Sequence, residues 1–267
     1  MDAGPFAPPD PAEIAGLVDA RAAVLARIAG ACARAGREPG SVTLVAVSKT
    51  VPAGRLRAAV AAGLDVLGEN RVQEAAAKVP VVPGPRWHLV GPLQANKARR
   101  AVELFDVLEA VDSVELASRL DRISAEVRPG RPLPILLEVN VDADPGKAGF
   151  APATVGEALP GLLALANVEV RGLMTIGRLA AAPEEARGTF RRLRELAGRL
   201  RAGNPGLGPD LSMGMSDDFE AAIEEGATIV RVGRALFGER PRVGGTGREG
   251  DGDGGPAGRS DHARATG

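Results

Sequence analysis

The sequence predicts an α/β protein, a single (β/α)8 TIM barrel preceded by an extra N-terminal helix. Short β-branched runs alternate strictly with alanine-rich helical stretches along the chain. Eight such units fit within roughly 230 residues, which suits a closed barrel better than a doubly wound sheet. Several of the predicted strands are apolar throughout, as parallel strands covered on both faces usually are. These observations indicate one barrel rather than two smaller domains.

The order of the elements follows from periodicity and from helix-stop signals. An amphipathic helix is predicted from about Pro11 to Arg37, because apolar residues recur at helical spacing and Gly36 can end the helix. The predicted strands are Val42–Val47, Val66–Gly68, Trp87–Val90, Phe105–Ala110, Ile135–Asn140, Val168–Ile176, Leu211–Met213 and Ile229–Val232. Helices are predicted to begin near Ala53, Val72, Asn96, Ser113, Ala153, Glu184 and Asp217, with a short helix after Phe237.

The two ends of the chain differ in composition from the barrel between them. Residues 1–10 are rich in proline and residues 241–267 are rich in glycine, so both segments are predicted to be disordered. Residues 11–240 form the barrel domain and leave no room for another globular domain. No apolar run approaches the ~18 residues of a membrane helix, and the start lacks the pattern of a signal peptide. A cytoplasmic location and no membrane partner are therefore expected.

The overall composition excludes several classes of function. The formal net charge is -1, so no global field recruits nucleic acid, and aromatic residues make up only 3%. Cys32 is the single cysteine, which excludes an intrachain disulfide and a cysteine-based metal cluster. We interpret Cys32 as a small packing residue rather than a nucleophile. No metal site is predicted.

Lysine is scarce in this chain, since only four of its 33 basic residues are lysines: Lys49, Lys78, Lys97 and Lys147. Arginine cannot form a Schiff base, whereas a desolvated lysine can. The alternative explanation is a coding bias that leaves a few lysines without function. That alternative fits Lys78 best, because it lies on a predicted helix face.

Lys49 is the second residue after the first predicted strand. In this fold the active groups lie at the carboxyl ends of the strands, so Lys49 is expected at the barrel mouth. Partial burial there lowers the pKa of an amine toward reactivity. A solvated loop lysine, or one paired with a carboxylate, is the open alternative.

The seventh and eighth units predict an anion site. Ser212 and Ser216 offer hydroxyl groups after the seventh strand, although Ser216 is equally well placed as a helix N-cap. Gly233 and the amides after it can donate to phosphate oxygens, and Arg231 or Arg234 can supply positive charge. If Arg231 points into the barrel, it needs an anionic or ring-nitrogen partner. An amine facing a phosphate site fits either pyridoxal 5'-phosphate or a phosphorylated sugar in a Schiff-base aldolase.

Several motifs, in order along the chain, resemble the pyridoxal phosphate homeostasis protein family. They are Ala46–Thr50, Gly68–Asn70, Trp87–Lys97, Gly172–Ile176, Ser212–Asp218, Val230–Gly233 and Phe237–Gly238. The resemblance covers about Glu13 to Glu239. It implies a barrel similar to the N-terminal domain of alanine racemase, with pyridoxal phosphate (PLP) as cofactor.

The resemblance also implies roles for individual residues. Lys49 matches the lysine that forms the internal aldimine, Ser212 and Gly233 match the phosphate cradle, and Arg231 matches the residue that faces the pyridine nitrogen. An arginine there keeps that nitrogen unprotonated and makes the ring a weak electron sink. Three further residues match the lining of the pocket: Asn70, His88 and Met174.

The implied function is a PLP carrier and regulator in PLP homeostasis, with PLP-dependent apo-enzymes as partners and without catalytic turnover. The alternative is a weak PLP-dependent amino-acid racemase. Two-base racemisation needs a second acid or base, which in the similar racemases is a tyrosine, and this chain has no tyrosine. We interpret His88 as a packed, hydrogen-bonded residue and the pair Asp217 and Asp218 as charges complementing a helix N-terminus. A purely structural barrel is a further reading, and a monomer is expected.

Lys97 and Lys147 both lie in loops after predicted strands. We interpret them as a basic rim that guides the anionic cofactor in or receives it during transfer. The alternative is that both are simply solvated.

Overall fold

The structure is a computed structural model that describes residues 8–177 and 183–238, and it confirms the predicted barrel. Eight parallel strands form a closed barrel in sequential order, with the last strand paired to the first. The strands are β1 Thr43–Val47, β2 Val66–Glu69, β3 Arg86–Leu89, β4 Val107–Val111, β5 Leu133–Glu138, β6 Val168–Met174, β7 Asp210–Ser212 and β8 Ile229–Val232. The helices are α1 Pro11–Arg34, α2 Ala53–Ala61, α3 Val72–Lys78, α4 Ala98–Leu104, α5 Val114–Val127, α6 Val155–Leu163, α7 Pro183–Gly203, α8 Phe219–Glu224 and α9 Arg234–Phe237.

The extra N-terminal helix α1 begins and ends at clear sequence signals. Asp10 is the N-cap, its side chain accepts a hydrogen bond from the Ala12 amide at 2.9 Å, and Pro11 occupies the first turn. The helix ends at Arg34, three residues before the predicted end, because Gly36 takes a positive φ of 63°. Its buried face packs mainly on α2 and α8.

The strands bury side chains on both faces, so the protein has two apolar layers. The larger layer lies between the strands and the helices. A smaller cluster fills the barrel interior and consists of Val45, Val66, Val90, Ala110, Leu136, Met174 and Ile229. Because side chains alternate along a strand, residues two positions beyond these reach the carboxyl end of the barrel. Ile229 points inward, and therefore Arg231 points inward as well.

A few predicted boundaries are wrong. β4 begins at Val107 rather than at Phe105, and β6 ends at Met174 rather than at Ile176. The short terminal helix occupies Arg234–Phe237, before the predicted position, and the residues after 238 lie outside the described part. The predicted disorder of residues 1–10 and 241–267 likewise falls almost entirely outside it. No helix among the described residues is long and apolar enough to cross a membrane.

Candidate functional site

Lys49 lies at a corner of a tight turn that follows β1. The amide of Val51 donates to the carbonyl oxygen of Ser48 at 3.0 Å, which closes the turn, and Lys49 itself is half-buried. Thr50, the next residue, has a positive φ of 66°. A left-handed conformation costs a non-glycine residue about 1–2 kcal/mol, so other contacts must hold this turn in place.

Helix α3 supplies those contacts. Glu74 accepts a hydrogen bond from the Thr50 amide at 3.2 Å, and the Lys78 Nζ donates to the carbonyl oxygen of Ser48 at 2.9 Å. Lys78 also forms an ion pair with Glu69, with Nζ and Oε1 2.6 Å apart. Lys78 is buried, so it is not a leftover lysine on a solvated helix face, and that interpretation is wrong.

We call Ser48, Glu69 and Lys78 the outer cluster, because it lies between the strands and the helix layer. The Ser48 hydroxyl donates to Glu69 Oε1 at 2.6 Å, while Glu69 Oε2 is buried and has no hydrogen-bond partner within the described residues. Burial raises the pKa of Glu69 above its usual range, against the opposing effect of its bonds to Lys78 and Ser48. Glu69 is therefore a fully buried carboxylate that is only partly satisfied.

A cavity of about 160 Å³ opens between the Lys49 turn and the segment after β8. It is lined by Val47, Lys49, Thr50, Val51, Pro52, Arg55, Gly233, Arg234, Phe237 and Gly238. Three of these carry cationic side chains and none carries a carboxylate, while Arg55 and Arg234 also pair with Glu13 and Asp217 outside the lining. The lining itself therefore offers hydrogen-bond donors to an anionic ligand. A Cβ at Gly233 would lie 3.3 Å from the carbonyl oxygen of Val47, so glycine permits the close approach of this segment to the end of β1.

The segment between β7 and α8 places the hydroxyl of Ser216 next to the Gly233 backbone. Ser216 Oγ accepts a hydrogen bond from the Gly233 amide at 3.2 Å. The N-cap of α8 is Asp218 rather than Ser216, which removes the N-cap interpretation of Ser216. Asp218 accepts from the Met215 amide at 2.6 Å, and Asp217 forms an ion pair with Arg234.

Arg231 points into the barrel, where its guanidinium is 5% exposed. Its Nη1 donates to Ser212 Oγ at 2.5 Å and its Nη2 donates to the carbonyl oxygen of Thr175 at 2.9 Å. A buried arginine was expected to need a negatively charged partner. Glu109 on β4 is such a partner, because its Oε2 lies 3.9 Å from Arg231 Nη1.

Glu109 joins three other side chains, and we call His88, Glu109, Ser212 and Arg231 the inner cluster. Glu109 Oε1 lies 2.6 Å from His88 Nδ1, and its Oε2 accepts a hydrogen bond from Ser212 Oγ at 2.5 Å. Burial by itself raises the pKa of Glu109. The bond to His88, the charges of His88 and Arg231 and the bond to Ser212 outweigh burial and hold that pKa below its usual range.

The other residues predicted to line the pocket are His88, Met174 and Asn70, of which His88 belongs to the inner cluster. His88 is buried, as a packed and hydrogen-bonded histidine would be, and its Nε2 has no hydrogen-bond partner among the described residues. Met174 is fully buried at the end of β6, and Asn70 is half-buried directly after β2. A Cβ at Gly91 would lie 2.6 Å from the carbonyl oxygen of Asn70, so this glycine permits the close approach of the two loops.

Glu138 and Lys147 form part of the opposite rim. Burial and the charge of Asp112 raise the pKa of Glu138 at the end of β5, and the charges of Arg231 and Lys147 oppose them. Lys147 is half-buried and donates to the carbonyl oxygens of Ile176 and Gly177 at 3.1 and 2.9 Å. The alternative of a simply solvated lysine therefore does not hold for Lys147.

The sequence analysis missed the three carboxylates that are buried within strands: Glu69, Glu109 and Glu138. A signal existed for each of them, since each lies in or ends a strand that is otherwise apolar. Strands of a closed parallel barrel are covered on both faces, so a carboxylate within one is a buried charge that requires partners. No group of residues that could hold a metal ion occurs within residues 8–177 and 183–238.

The fold and these side chains define a class of protein: a (β/α)8 barrel that presents one lysine and a cation-lined cavity at the carboxyl ends of its strands. Residues 21–241 match the family described as Alanine racemase, N-terminal domain. The chain belongs to the pyridoxal phosphate homeostasis protein family, as its motifs indicated.

Named relatives support this membership. A pyridoxal phosphate homeostasis protein of Pseudomonas aeruginosa is 46% identical over 224 residues, covering 82% of this chain and 94% of the relative. Its counterpart in Aquifex aeolicus is 44% identical over 220 residues, covering 81% and 95%. PipY of Synechococcus elongatus, solved with PLP bound, is 46% identical with a TM-score of 0.70, covering 79% of this chain and all of PipY. An alanine racemase of Clostridium difficile matches with a TM-score of 0.62 at 15% identity, and the match covers 82% of this chain and 56% of the racemase. At that identity the match shows a shared fold only.

Proposed function

We propose that this protein binds PLP through a Schiff base with Lys49 and acts as a carrier and regulator in PLP homeostasis. The observation that carries the proposal is that Lys49 lines the same cation-lined cavity as the Gly233 backbone. An amine and an anion site are thus placed side by side at the barrel mouth. The names of its relatives and the PLP-bound structure of PipY support the same conclusion.

The residues present fit this cofactor. Bound PLP supplies an aldehyde that reacts with amines and a phosphate that needs hydrogen-bond donors. In our proposal the Lys49 amine would condense with the aldehyde and release water, and the Arg231 guanidinium would face the ring nitrogen. The Gly233 amide would hold the Ser216 oxygen, which leaves the Ser216 hydroxyl proton for the phosphate. We propose Asn70, His88 and Met174 as further residues around the ring. They and Arg231 lie outside the lining of the cavity beside Lys49.

The assignment of Ser212 to the phosphate stays a prediction, but its geometry favours another role. A hydroxyl group has one proton, and Ser212 gives that proton to Glu109. Its oxygen accepts from Arg231 at the same time. We propose that Ser212 contributes to binding by holding Arg231, and that Ser216 provides the hydroxyl for the phosphate.

We further propose that the protein binds PLP without catalysing a reaction. Racemisation needs a second acid or base opposite the lysine, and the chain has no tyrosine to serve as one. His88, the other candidate, is buried and bonded to Glu109. Exchange of the alpha proton of alanine or serine in deuterated water would instead support the weak racemase.

The first test is an absorption spectrum of the purified protein with PLP, before and after borohydride. We expect a visible band that borohydride abolishes, and a mass shift confined to the peptide containing Lys49. Lys49→Ala and Lys49→Arg should both lack the band. The arginine keeps the positive charge but cannot form a Schiff base, so it separates covalent from electrostatic binding.

A wild-type protein without a band, even after incubation with PLP, would refute the proposal. The phosphorylated-sugar aldolase would then be tested by the same borohydride treatment with candidate sugar phosphates. A purely structural barrel would give no adduct in either experiment.

The proposed partners are PLP-dependent apo-enzymes, and a monomer acting in the cytoplasm is part of the proposal. Lys97 and Lys147 are proposed as the rim that receives the cofactor. Reversing both charges, as Lys97→Glu with Lys147→Glu, should slow loading and release. Unchanged rates of both steps would end the rim hypothesis.

A further inference from the structure

We propose that Glu109 is a positioning residue for the cofactor: it is the internal counterion that, through Ser212, holds the guanidinium of Arg231 toward the ligand. The inference rests on the proposed function. It assigns a role to a buried side chain that does not line the cavity and that no motif singled out.

The direction of the hydrogen bonds carries the first part of the argument. Glu109 is ionised and can only accept, while the Arg231 guanidinium can only donate. Ser212 lies between them and has one proton, which it gives to Glu109 at 2.5 Å. Its oxygen is thereby oriented to accept from Arg231 Nη1, also at 2.5 Å. The anion therefore dictates which way the serine hydroxyl points.

The positive charge of Arg231 is compensated mainly by Glu109. Arg231 is almost completely buried, and a buried cation needs a compensating anion. Three carboxylates act on its charge, namely Glu109, Glu138 and Asp218, and Glu109 has the largest effect. Glu109 is also the one of the three that is connected to Arg231 through a hydrogen-bonded side chain.

The hydrogen bonds at both ends of this chain of side chains restrict the movement of Arg231. His88 bonds to the second oxygen of Glu109 at 2.6 Å, and Thr175 accepts from the second nitrogen of Arg231 at 2.9 Å. One end of this chain of hydrogen bonds is His88 on β3, and the other end is Thr175 directly after β6. A guanidinium held in this way keeps its place while the cofactor enters and leaves, which avoids the cost of ordering a long side chain at binding.

The test compares the wild-type protein with Glu109→Gln and with Glu225→Gln as a matched control. Glu225 is also a buried carboxylate, but it lies in the helix layer, where it pairs with arginines of α7. The measurements are the dissociation constant for PLP, from titration of the visible band, and the pH dependence of that band.

We expect Glu109→Gln to weaken PLP binding by about 10- to 100-fold, because the charged acceptor that orients Ser212 toward Arg231 is lost. We also expect its band to titrate at a different pH, because the ring nitrogen loses a fixed partner. The carboxyl groups that act on Arg231 in the wild type are Glu109, Glu138 and Asp218, and the His88 side chain contacts Glu109. Glu225→Gln should match the wild type in both measurements.

Each failure has its own signature. A wild-type protein that takes up no PLP overturns the proposed function and this inference together. Normal wild-type uptake with an identical dissociation constant and pH profile in Glu109→Gln overturns this inference alone. If Glu109→Gln does not fold, Ser212→Ala breaks the same link more gently, and unchanged binding in that variant overturns the inference equally.

Discussion

Glu69 and Glu109 are both fully buried strand carboxylates, each bonded to a buried serine and close to a buried cation, yet their pKa values move in opposite directions. The pKa of Glu69 is raised by burial, whereas that of Glu109 is lowered in spite of burial. Both oxygens of Glu109 have hydrogen-bond partners, while Oε2 of Glu69 has none in the part of the chain that the structure describes. Burial alone therefore does not decide whether a carboxylate ionises, and the hydrogen bonds and charges that reach each oxygen do.

The two clusters also face different parts of the protein. Glu69 points toward the helix layer, and its cation Lys78 comes from α3. Glu109 points into the barrel, and its cation Arg231 comes from β8. The outer cluster fixes backbone, including the carbonyl oxygen before Lys49, whereas the inner cluster fixes a side chain that faces the ligand. We therefore expect the outer cluster to act on stability and the inner cluster to act on binding.

The largest expected effect is that of Lys78→Met. It leaves Glu69 as a buried charge without a cation, so we expect a loss of about 3–5 kcal/mol in the free energy of unfolding, measured by urea denaturation. The control is Arg99→Met, which breaks an exposed ion pair with Glu126 and should cost less than about 1 kcal/mol. Equal losses in the two variants would show that the outer cluster is not a stabilising unit.

A smaller effect is expected when each cluster loses its serine. Ser48→Ala and Ser212→Ala each remove a hydroxyl that donates to a buried carboxylate, so each should lose about 1.5–3 kcal/mol of stability. The backbone bonds of the Lys49 turn do not involve the Ser48 side chain, so Ser48→Ala should bind PLP normally. Ser212→Ala should bind it more weakly. Weaker binding in both variants would remove the functional distinction between the clusters.

Much of this arrangement was predictable because strand parity is a local property. The alternation of strands and helices predicted the barrel, and the alternation of side chains along β8 puts Arg231 on the face opposite Val230 and Val232. The position of Lys49 two residues after β1 predicted that it lies at the mouth. These inferences depend only on residues close to one another in the sequence.

The pairing of buried charges was not predictable in the same way. Glu109 meets Ser212 across more than 100 positions of sequence, and β4 has an irregular register between Leu108 and Val111. Glu109 and its neighbour Ala110 both contribute to the interior, so counting alternate residues fails there. Lys78 was misinterpreted for a related reason, since its partners lie on two other elements.

The smallest effect, and the most direct test of the comparison, is the pH dependence of stability. The ordinary pKa of a glutamate is 4.5. Because the folded pKa of Glu109 is lower, its stabilisation is present above pH 4.5 and is lost as the pH falls below it. Because the folded pKa of Glu69 is raised, its contribution is present below pH 4.5 and is lost as the pH rises through the folded value.

The two glutamine variants should therefore change the stability curve on opposite sides of pH 4.5. Glu109→Gln should flatten the acid limb, and Glu69→Gln should remove a decline on the neutral side, each by at most about 1.4 kcal/mol per pH unit. Urea denaturation at a series of pH values measures both slopes. If the two variants change the same limb, the opposite pKa shifts are refuted, and with them the view that the donors around each oxygen decide which buried carboxylate is ionised.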